Sequence, residues 1–171
     1  MRVVVLVLSL CFSVPGMAEV TAAGPGGFNL KLVGHSKSSP EQAYEAFGAI
    51  EKWWDASHSY SGEAANLSLN LEPGGMFFET LPGGGFVEHL SVVHTNPGKE
   101  VRLLGGLGPL QAMGLHGALT MQFKPHEKGC EIVMLYNVSG YSAQGLEGLA
   151  AIVDRVQAGQ LERLVAYADT L

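Results

Sequence analysis

Hydrophobic and polar positions follow two different rhythms along this chain. Between residues 28 and 33 apolar and polar residues alternate, which predicts a first β-strand. A helical pattern comes next, with Ser38 or Ser39 as its N-cap, because Pro40 stands in the first turn and Glu41 lies near the positive end of the helix dipole. The chain therefore opens with a predicted strand and a short amphipathic helix.

Alternation returns at residues 67–71 and continues through segments that glycine- and proline-rich turns separate. These later segments are MFFETL, FVEHLSVVH, EVRLLGG, LHGALTMQF and CEIVMLYNV. Strands joined by short turns pair with their neighbours, so the pattern predicts an antiparallel meander of six strands. Together with the first strand, the sheet is expected to have about seven strands.

The last segment, residues 142–171, is predicted to be one long helix. Its apolar stripe recurs at spacings of three and four and consists of Leu146, Ala150, Val153, Gln157, Leu161, Leu164 and Ala168. A long helix after a meander buries such a stripe against the apolar face of a curved sheet. The predicted fold class is α+β, with a single domain over residues 28–171.

The N-terminus has the layout of a secretory signal peptide. Arg2 precedes an apolar run, and Gly16-Met17-Ala18 places small residues at the positions that define cleavage. We expect cleavage after Ala18, which makes residues 1–18 the signal peptide and the location periplasmic or secreted. An uncleaved anchor is the alternative, although the run is shorter than the ~20 residues that span a bilayer. Residues 19–27 are expected to be a flexible leader.

Composition and charge narrow the possible partners. Charged residues make up 15% of the chain, against roughly 25% in typical globular domains, which leaves room for a large apolar core or cavity. Cleavage would remove Arg2 and take the formal net charge from −6 to −7. Nucleic acids and anionic membranes are bound by concentrated Lys and Arg, so neither is an expected partner. Cys130 would be the only remaining cysteine, so no internal disulfide is expected.

The order of these elements resembles that of the SRPBCC superfamily, which includes START-type lipid-binding and polyketide-cyclase-like domains. Within it, the chain looks most like the subgroup named after the activator of the heat-shock-protein ATPase. The matching segments are SPEQAYEAFGAIEKWWD, EPGGMFFE and LTMQFKPHEKGCEIVMLYNVSGY. The resemblance covers residues 28–171 and implies a helix-grip fold, in which the sheet wraps the C-terminal helix and leaves a deep apolar cavity. A cytosolic chaperone partner is not expected for an exported chain.

Strand alternation selects the candidate polar residues. In FVEHLSVVH, Phe86, Leu90 and Val92 form the more apolar face, which should point inward. Glu88 and His94 share that parity, so they are the candidates for binding a polar ligand group or for acid/base chemistry. The alternative is that they face the open end of the sheet and are solvated. His89 is expected to be exposed.

Other side chains are expected to line the cavity or close it. Trp53 and Trp54 follow the first helix, where one would fill the core and the other would cap the cavity or stack on a ligand. The predicted ligand-binding set is Trp54, Phe78, Glu88, His94, Met121, Met134, Tyr136, Leu146 and Val153. The connection LLGGLGPLQ is expected to be a flap over the opening, since it lacks the spacing of a phosphate loop.

No cofactor or metal is expected. Asp55, His58, Tyr60 and Glu63 lie in a loop without the fixed spacing of a metal motif. No nucleophile elbow is present, and Cys130 falls in an apolar strand typical of a core position.

Two functions remain, and binding is favoured over catalysis. The first is an exported protein that holds a small hydrophobic molecule between sheet and C-terminal helix. The second is a cyclase-, dehydratase- or hydrolase-like enzyme that uses the same cavity, with Glu88 or His94 as general acid/base. An interaction module that binds a protein through the outer face of the sheet is a third, weaker hypothesis.

Overall fold

The computed structural model of this protein describes residues 17–171. Within them the chain forms eight strands and two α-helices. In chain order these are β1 (Met17–Gly24), β2 (Gly27–Ser36), α1 (Pro40–Gly48), β3 (Leu67–Leu69), β4 (Met76–Thr80), β5 (Phe86–Asn96), β6 (Glu100–Gly105), β7 (His116–His126), β8 (Gly129–Ser139) and α2 (Glu147–Ala168). Short 3₁₀ turns lie at Ile50–Lys52, Ala56–His58, Ala64–Asn66 and Gly108–Leu110.

All eight strands belong to one antiparallel, curved sheet with the order β1-β2-β8-β7-β6-β5-β4-β3. The meander predicted from residue 67 onward is confirmed, and the pairing of β2 with β8 is the step that brings the two ends of the chain together. Helix α2 packs against β1 and β2, while α1 lies against β7, β8 and α2. The α+β class and the arrangement of sheet and C-terminal helix are therefore as predicted, with a helix-grip-like architecture.

The core lies between the concave face of the sheet and the helices. Its largest fully buried side chains include Phe28 and Leu30 from β2, Phe123 from β7, and Ile132 and Tyr136 from β8. Helix α2 contributes the predicted stripe, since Ala150, Gln157, Leu161, Leu164 and Ala168 are all buried. The helix begins at Glu147 rather than at residue 142, and Leu146 is a buried N-cap residue. None of the helices within residues 17–171 combines the length and the apolarity that crossing a bilayer requires.

The start of α1 is confirmed in detail. Ser39 is the N-cap, and its hydroxyl accepts a hydrogen bond from the Gln42 amide at 3.2 Å. The Gln42 side chain accepts in return from the Ser39 amide at 2.9 Å, which completes a capping box. The helix buries Ala43, Ala46 and Phe47.

The expectation of a flexible leader over residues 19–27 is wrong. These residues form most of β1 and its turn into β2, and Val20 pairs with Leu30 and packs against the core. Small Ala and Gly residues hide the alternation in the sequence, but their backbone groups find ladder partners along β2. This strand raises the count from the predicted seven to eight. Residues 1–16 of the predicted signal peptide lie outside the described residues, and cleavage after Ala18 would fall inside β1.

Candidate functional site

A cavity of about 460 Å³ lies between α2, the sheet and two loops. Helix α2 supplies Leu149, Val153 and Val156 to its wall, and the sheet supplies His89 from β5 and Tyr136 from β8. The remaining wall comes from the loop that follows α1 and from the connection between β6 and β7. This volume falls within the roughly 300–1,000 Å³ typical of small-molecule sites.

The mouth of the cavity is lined by large apolar side chains that reach solvent. Tyr60 is 52% exposed, Met113 is 43% exposed and Ile152 is 60% exposed. These three come from the loop after α1, from the β6–β7 connection and from α2. Three separate segments therefore frame one opening with an apolar rim.

The connection between β6 and β7 covers part of the cavity. Leu107, Leu110 and Met113 line it, and the Gln111 side chain donates a 2.7 Å hydrogen bond to the Glu88 carbonyl. The flap predicted for LLGGLGPLQ therefore lies beside the cavity. Its mobility stays a prediction.

Hydrogen bonds from three consecutive residues hold the loop after α1 in place. Trp53 donates from its indole to the Ala46 carbonyl at 2.9 Å, and Trp54 donates to the His58 carbonyl at 3.1 Å. On α2, the Gln160 amide oxygen accepts from the Asp55 backbone at 2.9 Å. The Trp pair thus divides its roles as expected, since Trp53 is a core residue and Trp54 lines the cavity.

A buried acid–imidazole pair lies at the cavity wall. The Glu79 carboxylate is 2.9 Å from Nε2 of His89, and their side chains are 0% and 3% exposed, respectively. Glu79 also accepts hydrogen bonds from the backbone amides of Tyr60 and Ser61. The His89 ring lies between Phe77 and Tyr60, with ring centroids 4.6 and 5.9 Å away. Strands β4 and β5 and the loop after α1 therefore converge on one polar centre.

The two members of this pair have opposite charge preferences. Burial raises the pKa of Glu79, but the hydrogen bonds from Ser61, Tyr60 and His89 outweigh it and bring the pKa below its ordinary value. Burial lowers the pKa of His89, and the hydrogen bond and charge of Glu79 recover only part of that shift. At neutral pH the pair is therefore a carboxylate beside a neutral imidazole.

Three polar atoms of the cavity wall have no hydrogen-bond partner within residues 17–171. They are Nδ1 of His89, the hydroxyl of Tyr136 and Oε1 of Gln157. Burial raises the pKa of Tyr136, and the nearby Leu107 backbone, which does not reach hydrogen-bond geometry with the hydroxyl, offsets part of the effect. More than about 90% of buried polar groups in folded proteins are paired. Three unpaired atoms from β5, β8 and α2 around one cavity are what a bound molecule or trapped water would satisfy.

Gly117 makes room for the tyrosine in this wall. A Cβ added there would lie 2.6 Å from the Tyr136 ring, so a larger residue would displace the ring.

The predicted inward orientation of Glu88 and His94 is wrong, because β5 contains two irregularities. Its pairing with β4 shifts between Leu90 and Glu88, and its pairing with β6 shifts between Val92 and His94. Each β-bulge adds one residue and so reverses the side-chain alternation. As a result both Glu88 and His94 are exposed, and neither lines the cavity.

The bulge between Glu88 and Leu90 turns toward the core a residue that alternation predicts to be exposed. His89, expected to be exposed, is buried together with its neighbour Leu90. The signal that could have found it is Glu79, an acidic residue in an apolar strand that needs a buried partner.

The other predicted ligand-binding residues fall into three groups. Trp54, Tyr136 and Val153 line the cavity. Met121, Met134 and Leu146 are fully buried in the core and are not among the residues that line it. Phe78 lies on the outer face of the sheet, where its ring stacks on Phe86 with centroids 5.3 Å apart.

Two further candidates for chemistry, Asp55 and Cys130, occupy structural positions. No group of three or more His, Cys, Asp and Glu side chains within residues 17–171 could hold a metal ion. Asp55 caps the 3₁₀ turn that follows it by accepting from the Ser57 amide at 2.9 Å. Burial raises the pKa of the Cys130 thiol to about 11, so it is a thiol, and not a reactive thiolate, at neutral pH.

Fold and cavity together define a helix-grip-like α+β protein with an internal apolar site. No protein-family model matches the chain, and no curated protein matches it either. Solved structures do share its fold. Protein MLL2253 from Mesorhizobium loti superposes with a TM-score of 0.60 at 15% identity, covering 83% of this chain and 97% of that one.

Two further structures extend the comparison. An uncharacterized protein from Rhizobium leguminosarum gives a TM-score of 0.61 at 17% identity, covering 91% of this chain and 99% of that one. A protein from Rhodobacter sphaeroides gives 0.55 at 19% identity, covering 90% and 96%, respectively. At such identities the similarity establishes the fold alone.

Proposed function

We propose that this protein binds one small, mostly apolar molecule in the cavity between its sheet and α2. The observation that carries the proposal is a cavity of about 460 Å³ whose wall is mostly apolar and includes three unpartnered polar atoms. Burial of apolar ligand surface would supply most of the affinity, at about 25 cal/mol per Å². The polar atoms would orient the ligand.

The order of elements and the helix-grip-like fold support membership of the SRPBCC superfamily. The subgroup named after the activator of the heat-shock-protein ATPase is the part of it whose segments the chain resembles. We propose that this protein shares the domain of that subgroup but does not act on a cytosolic chaperone, because the N-terminal pattern favours an exported protein. A periplasmic or secreted location agrees with a single cysteine after cleavage and with a fold that depends on packing.

Filling the cavity tests this function. Val153 lines the cavity from α2, so Val153→Trp should displace the ligand and leave the exposed face of the helix unchanged. Ala166→Trp is the matched control, since Ala166 is exposed near the other end of the same helix. The measurement is native mass spectrometry of protein purified from the cell envelope, followed by solvent extraction. We expect a co-purifying compound on the natural protein and on Ala166→Trp, and its loss from Val153→Trp. Equal occupancy in all three proteins would contradict the proposal.

Catalysis in the same cavity is the second candidate, and the Glu79–His89 pair is the observation that favours it. A carboxylate that holds Nε2–H of an imidazole fixes the tautomer and leaves Nδ1 as a proton acceptor. Glu88 and His94 take no part. Incubation of the extracted compound with the protein, with His89→Phe as the control, would separate turnover from binding by a change in the compound's mass.

A further inference from the structure

The charge state of the Glu79–His89 pair restricts what the cavity can hold. Glu79 accepts from three donors, the amides of Tyr60 and Ser61 and Nε2 of His89, so its negative charge is well stabilised. The hydrogen on His89 is therefore at Nε2. Nδ1 of the neutral ring is left with a lone pair and no proton, so it can only accept a hydrogen bond.

The other two unpartnered atoms do not add a preference of their own. The Tyr136 hydroxyl can donate or accept, and the Gln157 amide can turn either its oxygen or its nitrogen toward a ligand. His89 thus decides the polarity, because its Nδ1 demands a donor. The rest of the wall can adapt to whatever atoms accompany that donor.

The described cavity wall offers a negative ligand no lysine or arginine as a counter-charge. Of the side chains around the cavity, which all belong to the described part of the chain, none is Lys or Arg. The other ionisable side chains there are His58 and Tyr60 of the loop and Tyr136 of β8. The Glu79 carboxylate stands directly behind His89, so an anion placed near Nδ1 would meet a lone pair and a buried negative charge. Placing a like charge in such surroundings is costly.

We propose that the cavity selects a neutral ligand that carries a hydroxyl group on an otherwise apolar skeleton, a phenol or an alcohol. The ligand hydroxyl donates to Nδ1 of His89, and its oxygen accepts from Tyr136 or Gln157. Fatty acids and other apolar carboxylates are disfavoured. This inference rests on the proposed function, since it names the class of molecule that the same cavity binds.

Three probes with one skeleton test the selection. Naphthalene, 2-naphthol and 2-naphthoate differ in one substituent, and at neutral pH the naphthol is neutral while the naphthoate is an anion. Their affinities would be measured by isothermal titration calorimetry on the natural protein, with Val153→Trp to identify binding inside the cavity. We expect 2-naphthol to bind about five- to tenfold more tightly than naphthalene, the ratio that one net hydrogen bond provides. We expect 2-naphthoate to bind more weakly than either.

Two variants assign the preference to residues. His89→Phe keeps an aromatic ring and removes Nδ1, so the advantage of 2-naphthol over naphthalene should fall toward one. Tyr136→Phe removes a hydroxyl but leaves Nδ1 of His89 in place, so it should retain the preference for 2-naphthol. It is the second variant to measure if His89→Phe does not fold, and loss of the preference in Tyr136→Phe would contradict the assignment to His89.

The outcomes separate this inference from the proposed function. Equal binding of all three probes, or tighter binding of 2-naphthoate, would leave a ligand-binding cavity and overturn the selection. If none of the three probes shows binding that Val153→Trp abolishes, both the selection and the proposed function are overturned.

Discussion

At the scale of single residues, the site depends on His89 and Glu79, two side chains whose buried positions the sequence pattern does not predict. Alternation predicts an exposed His89, and it does not select Glu79. Alternation assigns faces correctly as long as the strand is regular, as it does for Leu30 and Leu32 of β2. Alternation fails in β5 because a bulge is set by the pairing of two strands, and the sequence of one strand alone does not determine that pairing. Tyr136 and Val153 line the cavity from β8 and α2, where the side-chain periodicity is unbroken, whereas Trp54 lines it from the loop after α1.

The buried pair predicts an acid-sensitive fold. The pKa of His89 lies below its ordinary value of 6.5 in the folded state, so the unfolded chain takes up this proton first and stability falls as the pH drops below 6.5. The pKa of Glu79 lies below its ordinary 4.5, so its contribution is full above 4.5 and is lost as the pH falls through the folded-state value. Urea unfolding midpoints across the acid range would show both stages.

His89→Phe isolates the first stage. The variant lacks the titrating ring, so its stability should stay level where that of the natural protein begins to decline. The second stage is shared with Asp55, whose pKa is also lowered by its hydrogen bonds to Ser57. A decline of the same size in both proteins between neutral pH and pH 4.5 would contradict the assignment to His89.

At the scale of elements, local signals predicted the helices better than the strands. Ser39 and Gln42 form a capping box with Pro40 in the first turn between them, and this chemistry can be seen in the sequence. The stripe of α2 was also readable, since helical periodicity persists over its whole length. The pattern predicts a helix from residue 142, but α2 begins at Glu147, because Leu146 is buried like a stripe residue although it precedes the helix.

Glycines in α2 offer a test of where the helix has space. A Cβ added at Gly159 would meet nothing within 4 Å. Gly159→Ala should therefore raise the free energy of unfolding by about 0.5–1 kcal/mol, through the better helix propensity of alanine. Chemical denaturation monitored by circular dichroism is the measurement.

The matched control is the same substitution at Gly34 in β2. A Cβ there would lie 2.8 Å from Cγ2 of Val165, since α2 packs closely on this strand. Gly34→Ala should therefore be destabilising. Stabilisation by both substitutions would show that α2 is not held tightly against β2.

At the scale of the whole molecule, the fold class, the meander and the position of the long helix were predictable, and one edge of the sheet was not. The sheet ends at β1 on one side and at the three-residue β3 on the other. Strand β1 consists mainly of small residues, so its membership depends on the edge that β2 offers and not on a hydrophobic pattern of its own.

Strand β1 should matter for stability even though its sequence is inconspicuous. A chain that starts at Glu19, as after the predicted cleavage, keeps the pairs from Glu19 to Gly24 and should unfold at nearly the same temperature as the longer protein. A chain that starts at Pro25 loses the strand, its ladder hydrogen bonds and the packing of Val20. We expect it to lose roughly 2–4 kcal/mol. Thermal unfolding of the two proteins compares them, and equal midpoints would contradict a structural role for β1.

The pairing of β2 with β8 also limits the order in which the sheet can fold. Leu30 pairs with Tyr136, and the whole meander lies between them in the chain. Closing so long a loop is entropically costly, and folds dominated by distant pairings reach the native state slowly. The hairpin of β1 and β2 therefore keeps one edge of β2 unpaired until β8, the last strand, has formed. If the chain is exported amino-terminus first, as proposed, this order of pairing would postpone folding until almost all of the chain has crossed the membrane.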